Sequence, residues 1–170
     1  VVSWLEYLSM AHLVVVGAGL GGMPAAYELR AALAREHEIT LINAAESFRF
    51  VPSNTWIAVG WRERAGISFD IRSHLERKGI TFLAAEVIGL DPRTRTLELS
   101  LGYNLDYDYL ILATGPRPAF EAVPGAGPVA GFTHSLCTLE QAERTYQAYQ
   151  QLLAAPGPIV IGALPNTGCF

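Results

Sequence analysis

The stretch HLVVVGAGLGG, residues 12–22, decides the fold. Four apolar residues at 13–16 run into glycines spaced G-x-G-x-x-G, at Gly17, Gly19 and Gly22. A short β-branched run that ends in glycine is typical of a buried parallel strand. In this pattern the first glycine permits a tight turn, the second lets a pyrophosphate approach the backbone, and the third lets a helix pack close to the strand. The stretch predicts a Rossmann-like α/β fold that binds a dinucleotide at a helix N-terminus.

The composition is that of a globular α/β protein, with 170 residues, 51% hydrophobic and 16% charged, which suffices for one good core. A net charge of −4 argues against nucleic acid as a partner. No apolar run approaches the roughly 20 residues of a membrane-spanning helix. Cys137 and Cys169 show neither C-x-x-C nor metal-ligand spacing, so we expect no metal site. They are either buried apolar side chains or a redox pair.

After the glycines, the pattern predicts a helix at 25–36 and a second strand at 39–42, which ends in Asn43. A dinucleotide site usually places Asp or Glu near this point, where the carboxylate binds the ribose hydroxyls. The amide of Asn43 can still bind a hydroxyl, and Glu46 is a nearby substitute. This departure weakens an NAD interpretation more than a general adenine-dinucleotide one.

The stretch FRFVPSNTWIAVG, residues 48–60, predicts an aromatic surface loop. Pro52, Ser53 and Asn54 are turn residues whose hydroxyl and amide groups are available to a ligand. The aromatic side chains around them can wall a flat ring. A loop that simply packs on the core is an equal alternative.

The rest of the chain divides into further elements. We predict, in order, a helix at 68–78 capped by Ser68, a strand at 80–87, a β-meander at 88–108, a buried strand in YLILATGPRP at 109–118, a connector at 116–131 and a helix that begins at Thr138. Residues 159–162 then read as the first strand of a second Rossmann-like domain. Because a lone strand and turn cannot bury both faces, we expect the chain to be an N-terminal piece of a longer protein.

The chain contains GAGLGG, then a β-meander, then YDYLILATG, and this order of features resembles that of the FAD-dependent pyridine nucleotide-disulfide oxidoreductase superfamily. Within it the chain is most similar to sulfide:quinone oxidoreductases, through residues 48–60, SLCTLEQA at 135–142 and PGPIVIGALPNTGCF at 156–170. The resemblance implies that sulfide is oxidised at cysteines beside FAD and that the electrons pass to a membrane quinone. It also implies a peripheral location on the prokaryotic cytoplasmic membrane, through a C-terminal part absent from this chain.

The resemblance also divides the chain. Because Met10 is a more natural start, we expect an N-terminal extension at 1–10, and the resemblance then implies the first part of an FAD-binding domain at 11–118, a connector and helix at 119–157, and the start of a second dinucleotide-binding-like domain at 158–170. We expect this chain alone to bind FAD weakly or to expose an apolar sheet edge.

Cys137 and Cys169 match two of the three family cysteines and are the implied catalytic residues. Each lies where a helix is expected to begin, and helix N-termini favour the nucleophilic thiolate. In some members the cysteine that matches Cys137 carries a thioether to the flavin. The residues expected to hold FAD are Gly17, Ala18, Gly19, Gly22, Asn43, Ala44, Pro52, Ser53, Asn54, Val87, Ala113, Thr114 and Gly115.

The chain departs from the family pattern at Gln141, where members often have a histidine four residues after the first cysteine. Gly162 and Gly168 are also too far apart to hold a pyrophosphate, which argues against NAD(P)H as electron donor. The alternatives are the flavoprotein of a flavocytochrome c sulfide dehydrogenase, a type II NADH:quinone oxidoreductase and a non-catalytic FAD-binding redox protein.

Overall fold

A computed structural model describes residues 10–162. The strands are β1 His12–Val16, β2 Glu38–Asn43, β3 Ser47–Arg49, β4 Ser68–Asp70, β5 Thr81–Ala84, β6 Val87–Asp91, β7 Thr96–Leu99, β8 Asn104–Asp106 and β9 Tyr109–Leu112. The helices are α1 Gly22–Ala32, α2 Asn54–Ala58, α3 Ile71–Glu76 and α4 Leu139–Ala154.

The centre of the fold is a parallel sheet in the order β5-β2-β1-β9. The apolar run of β1 lies between two neighbours, and Val14 and Val15 are fully buried. Because successive side chains point to opposite faces, Val15 packs with Met23 of α1, whereas Val14 packs with Leu97 of the meander. The predicted α/β class, the parallel sheet and the β-meander β6-β7-β8 are confirmed.

Helix α3 begins later than the sequence suggested. Ser68 is not its cap, because Ser68 pairs with Arg49 in the antiparallel ladder of β3 and β4. The cap is Asp70, whose carboxylate accepts from the N–H of Ser73 at 2.8 Å. A hydrogen bond from the Ser73 hydroxyl, followed by that backbone bond, holds the pKa of Asp70 below its ordinary value.

Two further expectations about helices need correction. The predicted loop at 48–60 contains helix α2, which packs against α4. The helix expected at 25–36 ends at Ala32, since the guanidinium of Arg30 binds the carbonyls of Leu33 and His37 and closes the turn beyond it.

The last strand of the sheet is exposed instead of buried. Strand β9 pairs with β1 on one side, and no other strand of residues 10–162 pairs with its free edge. Tyr109 is 64% exposed and Leu112 is 59% exposed, so the expected apolar sheet edge is present.

The strand predicted at 159–162 does not form. Val160 is 95% exposed and has no neighbouring strand within the described part of the chain, and an isolated strand cannot satisfy its backbone groups. The expectations for residues 1–9 and for Cys169 lie outside the described residues.

Candidate functional site

The glycine loop that follows β1 is shaped by close backbone contacts. Gly17 has a φ of +102°, and a Cβ added there would lie 2.3 Å from the carbonyl oxygen of Ala113. A Cβ on Gly22 would lie 1.7 Å from the carbonyl oxygen of Gly17. Side chains are therefore excluded at both positions. A Cβ on Gly19 would meet no atom of the described protein within 4 Å, so open space lies in front of the loop there.

The N-terminus of α1 faces no competing negative charge from its own first turn. No side chain caps this helix, and its first turn contains no acidic residue. Met23 and Ala25 donate their N–H groups to the carbonyls of Gly19 and Gly21, but the positive end of the helix dipole remains available to an anion. With Gly19 open in front of them, the loop and helix fit the pyrophosphate of a dinucleotide.

Asn43 binds the glycine loop directly. Its Oδ1 accepts from the N–H of Ala18 at 3.0 Å, and its Nδ2 donates to the carbonyl of Ala45 at 2.7 Å. The side chain thus fixes the loop to the end of β2. An amide oxygen has a second lone pair, so the contact with a ribose hydroxyl stays a prediction. Ala44, the next residue, is exposed.

The segment that follows β9 lies beside the glycine loop. Ala113 donates its N–H to the carbonyl of Val16 at 2.8 Å, and its Cβ would lie 3.3 Å from a Cβ on Gly22. Thr114 and Gly115 follow, and both are exposed. The structure therefore brings residues 17–22, Asn43 and residues 113–115 together at the carboxyl edge of the sheet.

The predicted contact of Val87 with the cofactor stays a prediction. This residue begins β6 and packs, half-buried, in the core between the sheet and the meander.

The Pro-Ser-Asn turn at 52–54 is more buried than an open surface loop would be. Pro52 is exposed, but Ser53 and Asn54 are only 2% and 1% exposed. Asn54 Nδ2 donates to the carbonyl of Leu136 at 3.0 Å. The turn therefore contacts the segment that carries Cys137.

Cys137 is exposed and directly precedes Thr138, the N-cap of α4. Thr138 Oγ1 accepts from the N–H of Gln141 at 3.2 Å, which confirms the predicted start of the helix. Only half of the expected capping box forms, because Gln141 Oε1 is buried without a hydrogen-bond partner among the described residues. His134 is exposed in the same segment.

Ion pairs join the first turns of α4 to residues far away in the sequence. Arg64 binds Glu143 at 2.6 Å and Glu140 at 3.4 Å, and Arg49 binds Glu140 at 2.8 Å. The hydrogen bond with Glu143 raises the pKa of Arg64. Burial acts in the opposite direction on Glu140, but a hydrogen bond with its own backbone N–H and the charges of Arg49 and Arg64 lower the pKa of that carboxyl.

Sequence reasoning missed Arg49, Arg64 and the bond from Asn54 to Leu136. The partners in the Arg64–Glu143 and Asn54–Leu136 pairs are 79 and 82 residues apart. No local pattern marks such contacts, since they exist only once α2 lies against α4.

Residues 10–162 contain no group of three or more His, Cys, Asp or Glu side chains placed to hold a metal ion. In the same range, no helix has the length and apolar character needed to cross a membrane. A cavity of about 380 Å³ lies in the connector, between residues 120 and 130 and Gln141, and none of its lining residues belongs to the glycine loop.

Comparisons with known proteins agree with this arrangement. The profile of the family described as pyridine nucleotide-disulphide oxidoreductase matches residues 11–163. The sulfide-quinone reductase of Aquifex aeolicus is 39% identical over 159 residues, which cover 94% of this chain and 36% of that protein. The mitochondrial sulfide:quinone oxidoreductase of Dictyostelium discoideum is 25% identical over 94% of this chain and 35% of that protein.

The crystal structure of the Aquifex aeolicus sulfide:quinone oxidoreductase superposes with a TM-score of 0.86 at 38% identity, covering 94% of this chain and 36% of that one. The chain thus spans about a third of the length of the relatives it matches.

Proposed function

Because the chain belongs to the pyridine nucleotide-disulphide oxidoreductase family, we propose that it forms the flavin-holding part of a sulfide:quinone oxidoreductase. FAD is the cofactor of this family, which confirms the cofactor predicted from the sequence. The observation that carries the proposal is an exposed cysteine at a helix N-terminus, in a chain 39% identical to a sulfide-quinone reductase over 94% of its length.

The residues at the carboxyl edge of the sheet would hold FAD. Gly19 and the N-terminus of α1 would receive the pyrophosphate, and Asn43 would bind the adjacent ribose. Residues 113–115 would close the other side of the groove. The open space at Gly19 and the uncapped helix start support this assignment.

When bound, FAD supplies transfer of an electron pair from sulfide toward a quinone. Cys137 would supply the reacting sulfur, because its thiol is exposed and directly precedes the N-cap of α4. Cys169 is its proposed partner and lies outside the described residues. A quinone is lipid-soluble, so the proposed reaction takes place at a membrane surface.

The test is anaerobic reduction of the flavin in the full-length gene product. Sulfide should bleach the flavin absorbance, whereas NADH should not. Replacement of Cys137 or Cys169 by Ser should abolish bleaching by sulfide, and in the Cys169 variant the flavin content should stay the same. Bleaching by NADH alone would exclude the proposed function in favour of an NADH-dependent enzyme, and unchanged bleaching in both variants would exclude the cysteines.

A further inference from the structure

We propose that Asn54 is a positioning residue for Cys137. Its side chain holds the peptide group before Cys137 and so fixes the thiol at the N-terminus of α4. The chemical use of this thiol rests on the proposed function. The positioning itself rests only on contacts between described residues.

The peptide group that joins Leu136 to Cys137 is held at both ends. Its carbonyl accepts from Asn54 Nδ2 at 3.0 Å, and its N–H donates to Ser135 Oγ at 3.2 Å. A peptide group is planar and rigid, so fixing its two polar atoms fixes its plane. The Cβ of Cys137 can then change position only by rotation about the N–Cα bond of that residue.

The segment is also held from the other side, by α4. Thr145 Oγ1 lies 3.0 Å from the carbonyl of Ser135 and 2.9 Å from that of Gln141, so its one proton is shared between the two acceptors. Residues 135–138 therefore lie between a donor on α2 and a donor on α4. An apolar cluster keeps the two helices together, and its members are Ile57, Ala58, Ile67, Leu139 and Ala142.

The burial of Asn54 argues against direct contact with the cofactor. The residue is 1% exposed, and its Oδ1 is buried without a hydrogen-bond partner among the described residues. An atom that has no access to solvent when no cofactor is bound does not line an open cofactor groove. An apolar side chain would fill this place without an unpartnered oxygen. What asparagine adds is the N–H that it donates to Leu136.

The test exploits a substitution of nearly the same shape, Asn54→Asp. A carboxylate cannot donate to the carbonyl of Leu136, but a protonated carboxyl group can, and burial favours the protonated form. Hydrogen exchange of the amides at 135–139 in the full chain should therefore match the wild type at acidic pH. At neutral pH their protection should fall about tenfold, the factor that corresponds to one buried hydrogen bond.

Two further variants make the comparison specific. Asn54→Ala removes the donor without adding a charge, so protection of the same amides should be low at both pH values. Thr55→Ala changes an exposed neighbour on α2 that does not bind the cysteine segment, so it should behave as the wild type. Rates are corrected for the intrinsic pH dependence of exchange.

The result that would overturn the proposal is wild-type protection of residues 135–139 in Asn54→Ala, or a loss spread evenly over the chain. An even loss would mean that Asn54 supports the whole fold and not this segment. If Asn54→Asp does not fold, the alanine variant at neutral pH still decides. Neither sulfide nor FAD enters the measurement, so its failure is distinguishable from failure of the proposed function.

Discussion

The glycine loop at 17–22 is built from backbone contacts, whereas the cysteine segment at 135–138 is built from side-chain hydrogen bonds. In the loop, the space for a Cβ on Gly22 is filled by the carbonyl of Gly17. In the segment, Asn54 and Thr145 bind backbone carbonyls through their side chains, which can rotate. A change in the loop must therefore displace the backbone, whereas a change in the segment removes one bond at a time.

The largest effect is expected for Gly22→Ala. The added Cβ would lie 1.7 Å from the oxygen of Gly17, which is backbone and cannot rotate away. We expect a loss of about 3 kcal/mol in the free energy of unfolding, the upper part of the range for overpacking. Chemical denaturation followed by circular dichroism measures it.

Gly19→Ala is the matched control in the same loop. Its Cβ would meet no described protein atom within 4 Å, so the free energy of unfolding should not change. The same methyl group would occupy the space that the pyrophosphate needs, so FAD affinity should fall. Equal destabilisation by the two variants would show that the loop does not have this shape.

The next effect concerns the apolar cluster that supports the cysteine segment. Leu139 is 2% exposed and packs at the start of α4, so Leu139→Ala should cost about 2 kcal/mol, the lower part of the range for a buried leucine. Hydrogen exchange should show the loss at α2 and α4, with the amides of β1 unaffected. Loss of protection in β1 would contradict the separation of the two regions.

A smaller effect is expected for Thr138→Ala at the cap of α4. This change removes the acceptor for the N–H of Gln141, which is worth about 1 kcal/mol in typical helices. Thr138→Ser keeps the hydroxyl and should restore most of the stability. Thermal melts of the two variants, compared with the wild type, give the difference.

The smallest effect is the pH dependence of the ion pairs at Glu140. Since the native pKa of this carboxyl is lowered, the pairs stabilise the fold above the ordinary glutamate pKa of about 4.3. That stability is lost as pH falls through the lowered native pKa. The side chain is 47% exposed, so solvent screening limits the effect to a few tenths of a kcal/mol. Denaturation of Glu140→Gln and wild type at neutral and acidic pH should show the difference only at neutral pH.

Contacts within one stretch of the chain could be predicted from the sequence, whereas contacts between distant stretches could not. The first strand and the glycine turn depend on residues within one stretch, and the structure confirms them, although α1 begins at Gly22, earlier than the predicted residue 25. The capping at Thr138 is local too. The contact of Asn54 with Leu136 joins residues 82 positions apart, so it depends on packing that no local pattern records.

The errors have the same physical origin. The turn at Ser68 looked like a helix cap because its hydroxyl suits that place, but pairing with Arg49 draws it into a strand, and Asp70 takes over. Strand β9 is as apolar as a buried strand, yet it lies at an edge. Periodicity indicates that a strand exists, but the number of its neighbours is set by the rest of the fold.

The order of strands in the sheet has a consequence for the synthesis of the chain on the ribosome. Strand β1 is made first, yet one of its two neighbours is β9, and the bond from the His12 N–H to Asp108 beside them spans 96 residues. Until β9 emerges, the nascent chain exposes an apolar strand edge at its centre, which is a template for wrong pairing. The glycine loop also lacks its contact with Ala113 during that interval, so the proposed nucleotide groove is not complete until Ala113 has emerged.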